Sequence, residues 1–321
     1  MSLILLLAAY AAAVFMGLNI GGNNAAASMG AAYGAKARTK QQAVILIAIF
    51  AFLGAILSGG EVIKTLGNGI VPGGNITVVY AIVAISAAGI SMFIANMLKV
   101  PISTSQAAVG AVAGLGIYVG MLDMNVLTRI VSWWVVTPIV AFFLAFIMGK
   151  YFHPVILLWL VDHKSEATIR KIIGLLLTIS GCYVAYSAGA NNAANAVGPL
   201  VGAGFMDSGT GAVIGGLTIG VGAILLGSRV LETVGNGITE LCAIRAVFVE
   251  FVAALLVHAA SIMGIPVSLG EIVTAAIIGI GCANEGLLTA RNETVQKIVT
   301  MWFVSPLAAG MITYGALVVI G

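Results

Sequence analysis

Two asparagine doublets, Asn23-Asn24 and Asn191-Asn192, carry the most suggestive chemistry in this chain of 321 residues. Each follows an apolar stretch and precedes an Ala-rich one, and Asn195 adds a further amide to the second copy. Asn caps helices well and Ala propagates them, so the pattern predicts a helix that restarts inside an apolar segment at each doublet. A helix start leaves backbone N–H groups unpaired and presents the positive end of its dipole, which suits an anion. The Asn side chains add NH₂ donors, and their carbonyls could face a cation. The plainer alternative is that the amides only cap broken helices or tie helices together; paired occurrence in both halves favours binding.

The segment Pro101-Ile102-Ser103-Thr104-Ser105-Gln106 is the second candidate, with a weaker partner in Pro266-Val267-Ser268-Leu269-Gly270-Glu271. Pro suits the first helical position, and Ser and Thr cap readily. Three consecutive hydroxyls at a helix start could donate to a tetrahedral oxyanion; alone, the motif also fits a helix starting at the membrane surface. Charges inside apolar blocks come third. Glu61 and Lys64 are three residues apart, as are Arg229 and Glu232, with the signs exchanged. Such pairs share one helix face and serve equally well as ion-coupling groups or as structural pairs across an interface. Glu271 has no basic neighbour in sequence and is the counterpart of Gln106, so it is the candidate for carrying a coupling proton; alternatively it reaches back to Ser268 as a capping residue. Glu250 and His258, in another apolar block, have a weaker claim.

No catalytic constellation accompanies these residues. His153, His163 and His258 lack metal-ligand spacing, there is no nucleophile elbow, and there is no phosphate-binding loop with Lys. The expectation is therefore not an enzyme, not an ATP-driven pump, and no cofactor or bound metal.

The elements that must position these groups are membrane helices. The chain is 61% hydrophobic and 8% charged, against roughly 25% charged in a soluble domain. Runs such as Val78–Leu98 and Ile130–Met148 are long enough for the roughly 20 apolar residues of a membrane-spanning helix. Strand-type alternation is missing, which argues against a β-barrel. The net charge of +3 comes from basic residues scattered over loops, which excludes a nucleic-acid footprint. Leu3–Met16 lacks a basic region before it and reads as a retained helix rather than a secretion signal. Cys182, Cys242 and Cys282 sit in apolar surroundings, as buried thiols do.

The chain repeats itself. GGNNAAASMGAAYGA (21–35) meets GANNAANAVGPLVGA (189–203) at an offset of 168 (189 − 21). At the same offset GAILSGGEVIKTLGNGI (54–70) meets GAILLGSRVLETVGNGI (222–238), and Trp134, Val136 and Pro138 meet Trp302, Val304 and Pro306. Pro101 and Pro266 are related by 165. Fixed-period similarity of this kind marks a duplicated unit. We read residues 1–150 as a first transmembrane repeat, 151–170 as a cytoplasmic linker and 171–321 as a second repeat. Each holds about five apolar blocks: 2–35, 42–70, 76–98, 101–120 and 127–149, then 172–204, 209–239, 242–263, 266–283 and 297–320. Lys36, Arg38 and Lys40, and the linker residues Lys150, Lys164, Arg170 and Lys171, should face the cytoplasm, and Asp207 the outside. Five crossings per half then invert the second repeat relative to the first. The expected fold is all-α, integral to the membrane, with inverted repeats, re-entrant or broken helices and substrate near the midplane.

These residues resemble a known family. The GxNNAA segments are similar to the GANDxxN signature of the inorganic phosphate transporter family, PISTSQ to its P-x-S-T-T-H element, and GSRVLETVGNGIT to its second conserved segment. The likeness spans nearly the whole chain and is closer to a branch of bacterial sulfate permeases, which NAAASMGAAYG, GGEVIKTLGNGIVP and PISTSQAAVGAVAGLG resemble. It implies a multi-pass secondary transporter of the plasma membrane, with its anion held at Asn23, Asn24, Ser103, Thr104, Ser105, Asn191, Asn192 and Asn195. The chain departs from the family where Asp is expected: Asn24 and Asn192 stand there, Ala27 replaces the later Asn of the first copy, and PVSLGE replaces the second P-x-S-T-T-H. Exchanging Asp for Asn trades an acceptor for a donor and removes negative charge from a dianion site. Sulfate, which carries no proton, wants only donors, so it is favoured over hydrogenphosphate. Loss of both carboxylates weakens sodium coupling relative to proton coupling. The expectation is a proton-coupled sulfate importer; the alternative is a sodium-coupled phosphate symporter. A homodimer is compatible with either.

Overall fold

The computed structural model describes residues 2–72, 74, 76–97, 102–228, 231, 243–286 and 293–320. All regular structure among them is helical. The first repeat holds α1 (Leu3–Gly34), α2 (Lys40–Ser58), the short α3 (Gly60–Lys64) with a π turn at Thr65–Gly69, α4 (Val78–Met97), α5 (Thr104–Val119) and α6 (Met124–Ile147). A second π turn (Met148–Phe152) leads into α7 (His153–His163). The second repeat holds α8 (Glu166–Gly202), α9 (Ser208–Leu225), α10 (Ala243–Ile262), α11 (Leu269–Glu285) and α12 (Glu293–Ile320). The linker expected at 151–170 is largely helix, because Pro154 sits in the first turn of α7, where it breaks no hydrogen bond, and Ser165 caps α8.

Among the described residues seven helices are long and apolar enough to cross a membrane, and the chain is a multi-pass membrane protein. α5 and α11 are different: at 16 and 17 residues they extend only about 24–26 Å, short of the hydrocarbon thickness. Their first turns are not at a surface. Ser105 is fully buried and Gln106 is 1% exposed, and Ser268 and Glu271 are 4% and 3% exposed. These two are helices that start inside the protein.

The halves interlock as an inverted repeat. α1 packs on α9 and α2 on α8; α5 packs on α12 and α6 on α11. Each of these pairs joins one repeat to the other, and the two members of each pairing are exchanged by the repeat operation. The closest backbone contacts obey the same relation. A Cβ on Gly21 would meet the Ile219 carbonyl at 2.0 Å, and one on Gly189 the Ala51 carbonyl at 1.9 Å. Adding 168 to Gly21 and to Ala51 gives Gly189 and Ile219. Small residues let membrane helices approach this closely.

The turn after α1 shows what the duplication costs. Gly204 ends α8 with φ 68°, and its counterpart Lys36 takes φ 56° after α1. Both turns close with the same pair of hydrogen bonds, Lys36 N to Tyr33 O and Ala37 N to Ala32 O in one, Gly204 N to Val201 O and Phe205 N to Leu200 O in the other. The first repeat accepts a lysine in a glycine conformation.

Candidate anion-binding site

The asparagine doublets do not restart helices. α1 and α8 run unbroken through Asn23-Asn24 and Asn191-Asn192, so the doublets' N–H groups belong to the helix interior. Asn costs a helix well under 1 kcal/mol relative to Ala, too little to break one whose side chains find partners. The helix starts aimed inward are those of α5 and α11. Ser103 caps α5 by accepting from Gln106 N at 3.2 Å, and Ser268 caps α11 by accepting from Glu271 N at 3.3 Å.

The start of α5 meets the middle of α8. Thr104 Oγ1 and Ser105 Oγ donate to Asn192 Oδ1 at 3.1 and 3.0 Å, and Asn195 Nδ2 donates to the same oxygen at 2.9 Å. Asn195 Nδ2 also lies 3.3 Å from Ser105 Oγ. With three donors on its oxygen, Asn192 turns its NH₂ away from them. Asn191 faces elsewhere: its Nδ2 donates to Ser261 Oγ and to Ile265 O, both at 3.0 Å, and its Oδ1 accepts from Val267 N at 3.0 Å. Every polar atom of that side chain is occupied in holding the segment between α10 and α11. Asn191 is therefore a tether, the helix-tying alternative, while Asn192 and Asn195 are brought together with Ser103, Thr104 and Ser105.

The first repeat's half is stripped. Asn24 is buried and Asn23 half-buried on α1, and α1 contacts α11. The positions matching Thr104 and Ser105 are Leu269 and Gly270, which offer no hydroxyl. Asn24 Nδ2 has no partner.

Orphaned buried atoms gather at these residues. Of seven buried side-chain N and O atoms without a partner among the described residues, four belong here: Asn24 Nδ2, Asn195 Oδ1, Gln106 Oε1 and Glu271 Oε1. Such groups are rare and need an explanation; a polar ligand or ordered water supplies one. Gln106 and Glu271 also lie beside each other, and while Ser268 caps α11 by accepting from Glu271 N, the Glu271 carboxyl keeps one oxygen unpaired. They line a cavity of about 820 Å³ walled by Val109, Trp134, Pro138, Pro306 and Tyr314. Among the described residues no basic one lines it. Those apolar walls are a poor host for a dianion, so the amide and hydroxyl cluster, and not this cavity, is the candidate site.

The charge pairs stand apart. Lys64 Nζ binds Glu61 Oε1 at 2.7 Å with both side chains more than half exposed, and neither reaches the cluster. An exposed pair of this kind contributes little. Their partners in the repeat, Arg229 and Glu232, lie outside the described residues, as does Cys242. Cys182 is a buried free thiol. Glu250 is buried on α10 and accepts from the Ser180 hydroxyl of α8. Ser261 and Ile265 were not among the sequence candidates; nothing in a lone serine marks it as the anchor for an amide seventy residues away.

Residues 20–313 match the profile of the phosphate transporter family. The chain is 42% identical over 309 residues to the sulfate permease CysP of Bacillus subtilis, covering 96% of this chain and 86% of that one. It is 30% identical to a putative phosphate permease of Pyrococcus horikoshii, covering 91% and 92%. Among solved structures it superimposes on a sodium-dependent phosphate transporter with a TM-score of 0.81 and 25% identity, covering 99% of both chains.

Proposed function

The chain belongs to the phosphate transporter family, and from that membership we propose that it is a secondary transporter importing sulfate in symport with protons. The observation that carries the reading is the donor set around Asn192. The cluster of Thr104, Ser105, Asn192 and Asn195 contains amides and hydroxyls and no carboxylate. Asn192 and Asn24 each hold an NH₂ not engaged by the hydroxyl cluster, and the first turn of α5 adds backbone N–H groups and the positive end of its dipole. A fully deprotonated dianion needs donors alone. Hydrogenphosphate brings a proton that wants an acceptor, and the signature carboxylates that could take it are absent from both repeats. The sulfate permease among the relatives supports the same choice.

For coupling, Glu271 is the acid beside the cluster. It is 3% exposed, and no basic residue among those described lines the cavity beside it, so a proton is the simplest species that can neutralise it. Proton uptake with sulfate would offset charge that the bilayer otherwise opposes. A sodium-coupled phosphate symporter is the second reading, favoured by the solved relative and by the unpaired acceptor oxygens Asn195 Oδ1 and Gln106 Oε1, which suit a hard cation.

Sulfate uptake into proteoliposomes decides between them. We expect an inward proton gradient to accelerate uptake, sodium to have no effect, and phosphate to compete weakly. Sodium-dependent uptake blocked by phosphate overturns the proposal in favour of the second reading.

A further inference from the structure

A hydrogen-bonded quartet lies between α2, α8 and α10, outside the anion cluster. Tyr183 OH is 3.1 Å from His258 Nδ1, His258 Nε2 is 3.4 Å from Ser58 Oγ, and Ser58 Oγ is 2.6 Å from Tyr186 OH. The imidazole also packs edge-on against both tyrosine rings, with centroids at 5.7 and 5.2 Å.

The repeat supplies a control. Tyr183, Tyr186 and Ser58 correspond at the 168 offset to Phe15, Leu18 and Leu226, and His258 corresponds at the 165 offset to Phe93. Phe15 and Phe93 are themselves paired, with centroids 6.1 Å apart. The packing of these helices is thus met in one repeat by four apolar side chains. In the other the same places hold four groups that can each give and take a proton. Polar groups within membrane spans are costly and need a reason beyond packing. All four are half-buried, so the quartet meets a medium on one side, and its polarity suits water better than lipid.

We infer that the Tyr183–His258–Ser58–Tyr186 quartet is the relay by which the coupling proton enters or leaves the carrier, an inference that rests on the proton-symport reading above. Each member accepts a proton from one neighbour while passing its own to the next, so one proton moves and no member changes net state. The titratable groups against His258 are Tyr183 and Tyr186 of α8, and α2 contributes only Ser58. Among the described acid side chains of α3, α8 and α10, Glu250 is taken by Ser180, Glu61 by Lys64 and Glu166 by Arg170. Glu271 at the start of α11 remains as the acceptor on the substrate side. The relay is joined mechanically to the anion cluster: Ser261, one turn after His258, holds Asn191, which neighbours Asn192.

The test is the double substitution His258→Phe, Tyr183→Phe, which writes the first repeat's pair into the second. Reconstituted protein is assayed for sulfate–sulfate exchange at equal pH and for accumulation driven by a proton gradient. We expect exchange within about twofold of the unsubstituted protein and gradient-driven accumulation lower by roughly tenfold or more. Gradient-driven accumulation that is undiminished overturns the relay while leaving proton symport standing, and so does loss of exchange together with accumulation. An unsubstituted protein that ignores the gradient removes proton symport and the relay with it. Tyr186→Phe, which deletes one hydroxyl and no ring, gives the same readout should the double variant fail to fold.

Discussion

Gln106 and Glu271 occupy the same position in the two repeats, 165 residues apart, and their side chains meet. Groups exchanged by a pseudo-two-fold operation can touch only where its axis passes. The pair therefore marks the axis, at the point where the inward starts of α5 and α11 converge. An amide in one repeat and an acid in the other is the smallest asymmetry that can be placed there, and it puts a single exchangeable proton at the centre.

Glu271→Gln makes the axis symmetric in chemistry as well as position. Size and hydrogen bonding to Ser268 and Gln106 are retained, but no proton can be released. We expect sulfate exchange at equal pH to persist and acceleration by an inward proton gradient to disappear. Proteoliposome uptake with and without the gradient reads both. A variant still driven by the gradient would move the coupling role away from Glu271.

The glycine contacts predict a stability pattern. Gly21→Ala and Gly189→Ala each drive a methyl into a backbone carbonyl across the repeat interface, at 2.0 and 1.9 Å. Relief requires α1 and α9, or α8 and α2, to separate, at about 1–3 kcal/mol. Gly315→Ala on α12 meets nothing within 4 Å and should be neutral or slightly stabilising. Thermal unfolding in detergent should show two variants that fall and one that holds; equal behaviour of all three would argue that the interlocked packing is wrong.

Asn191→Ala separates the two members of the second doublet. It leaves Val267 N–H and Ile265 O without their partners in a buried segment, at about 1–3 kcal/mol each. The expected result is a lower unfolding midpoint with sulfate affinity of the folded fraction little changed. A variant of unaltered stability and weakened affinity would show that Asn191 contacts the anion after all.

The residue types at the candidate site were readable because only a few side chains in so apolar a chain could hold an oxyanion, and the repeat pointed to the same ones twice. The boundaries of α1, α4, α5 and α11 follow the apolar blocks closely, since Ser2, Thr77, Ser103 and Ser268 accept from the first turn of each helix. Two things were not readable. The partners from α5 and α10 that hold the second doublet within an unbroken α8 are not revealed by pattern alone. Which Asn of a doublet faces the site depends on the helix turning about 100° per residue, so neighbours look towards different helices: Asn191 to α10, Asn192 to α5. The quartet around His258 was missed because two tyrosines, a serine and a histidine scattered over three blocks share no spacing; comparison of Phe15 and Phe93 with Tyr183 and His258 would have singled it out.

Lys36→Gly offers an independent check on the duplicated turn. Gly204 already fills the matching position, and the left-handed backbone costs an L side chain roughly 1–2 kcal/mol. The substitution should raise the unfolding midpoint in detergent. A lowered midpoint would mean that the Lys36 side chain contributes more than its strained backbone costs.

Asn192→Asp tests the choice of substrate. The three donors to Asn192 Oδ1 would serve a carboxylate at least as well, so the helix contacts should survive and the protein should fold. The new charge, however, sits beside the proposed dianion. Two unit charges about 4 Å apart repel by roughly 4 kcal/mol at an effective dielectric constant near 20, and sulfate carries two. Sulfate uptake should therefore fall by roughly a hundredfold or more, even after partial relief by protonation. Hydrogenphosphate can give its proton to the new acceptor and should lose much less, so competition assays should show selectivity moving towards phosphate as sulfate transport fails. Undiminished sulfate uptake would mean that the anion does not bind against Asn192, and the donor-only account of selectivity would fall with it.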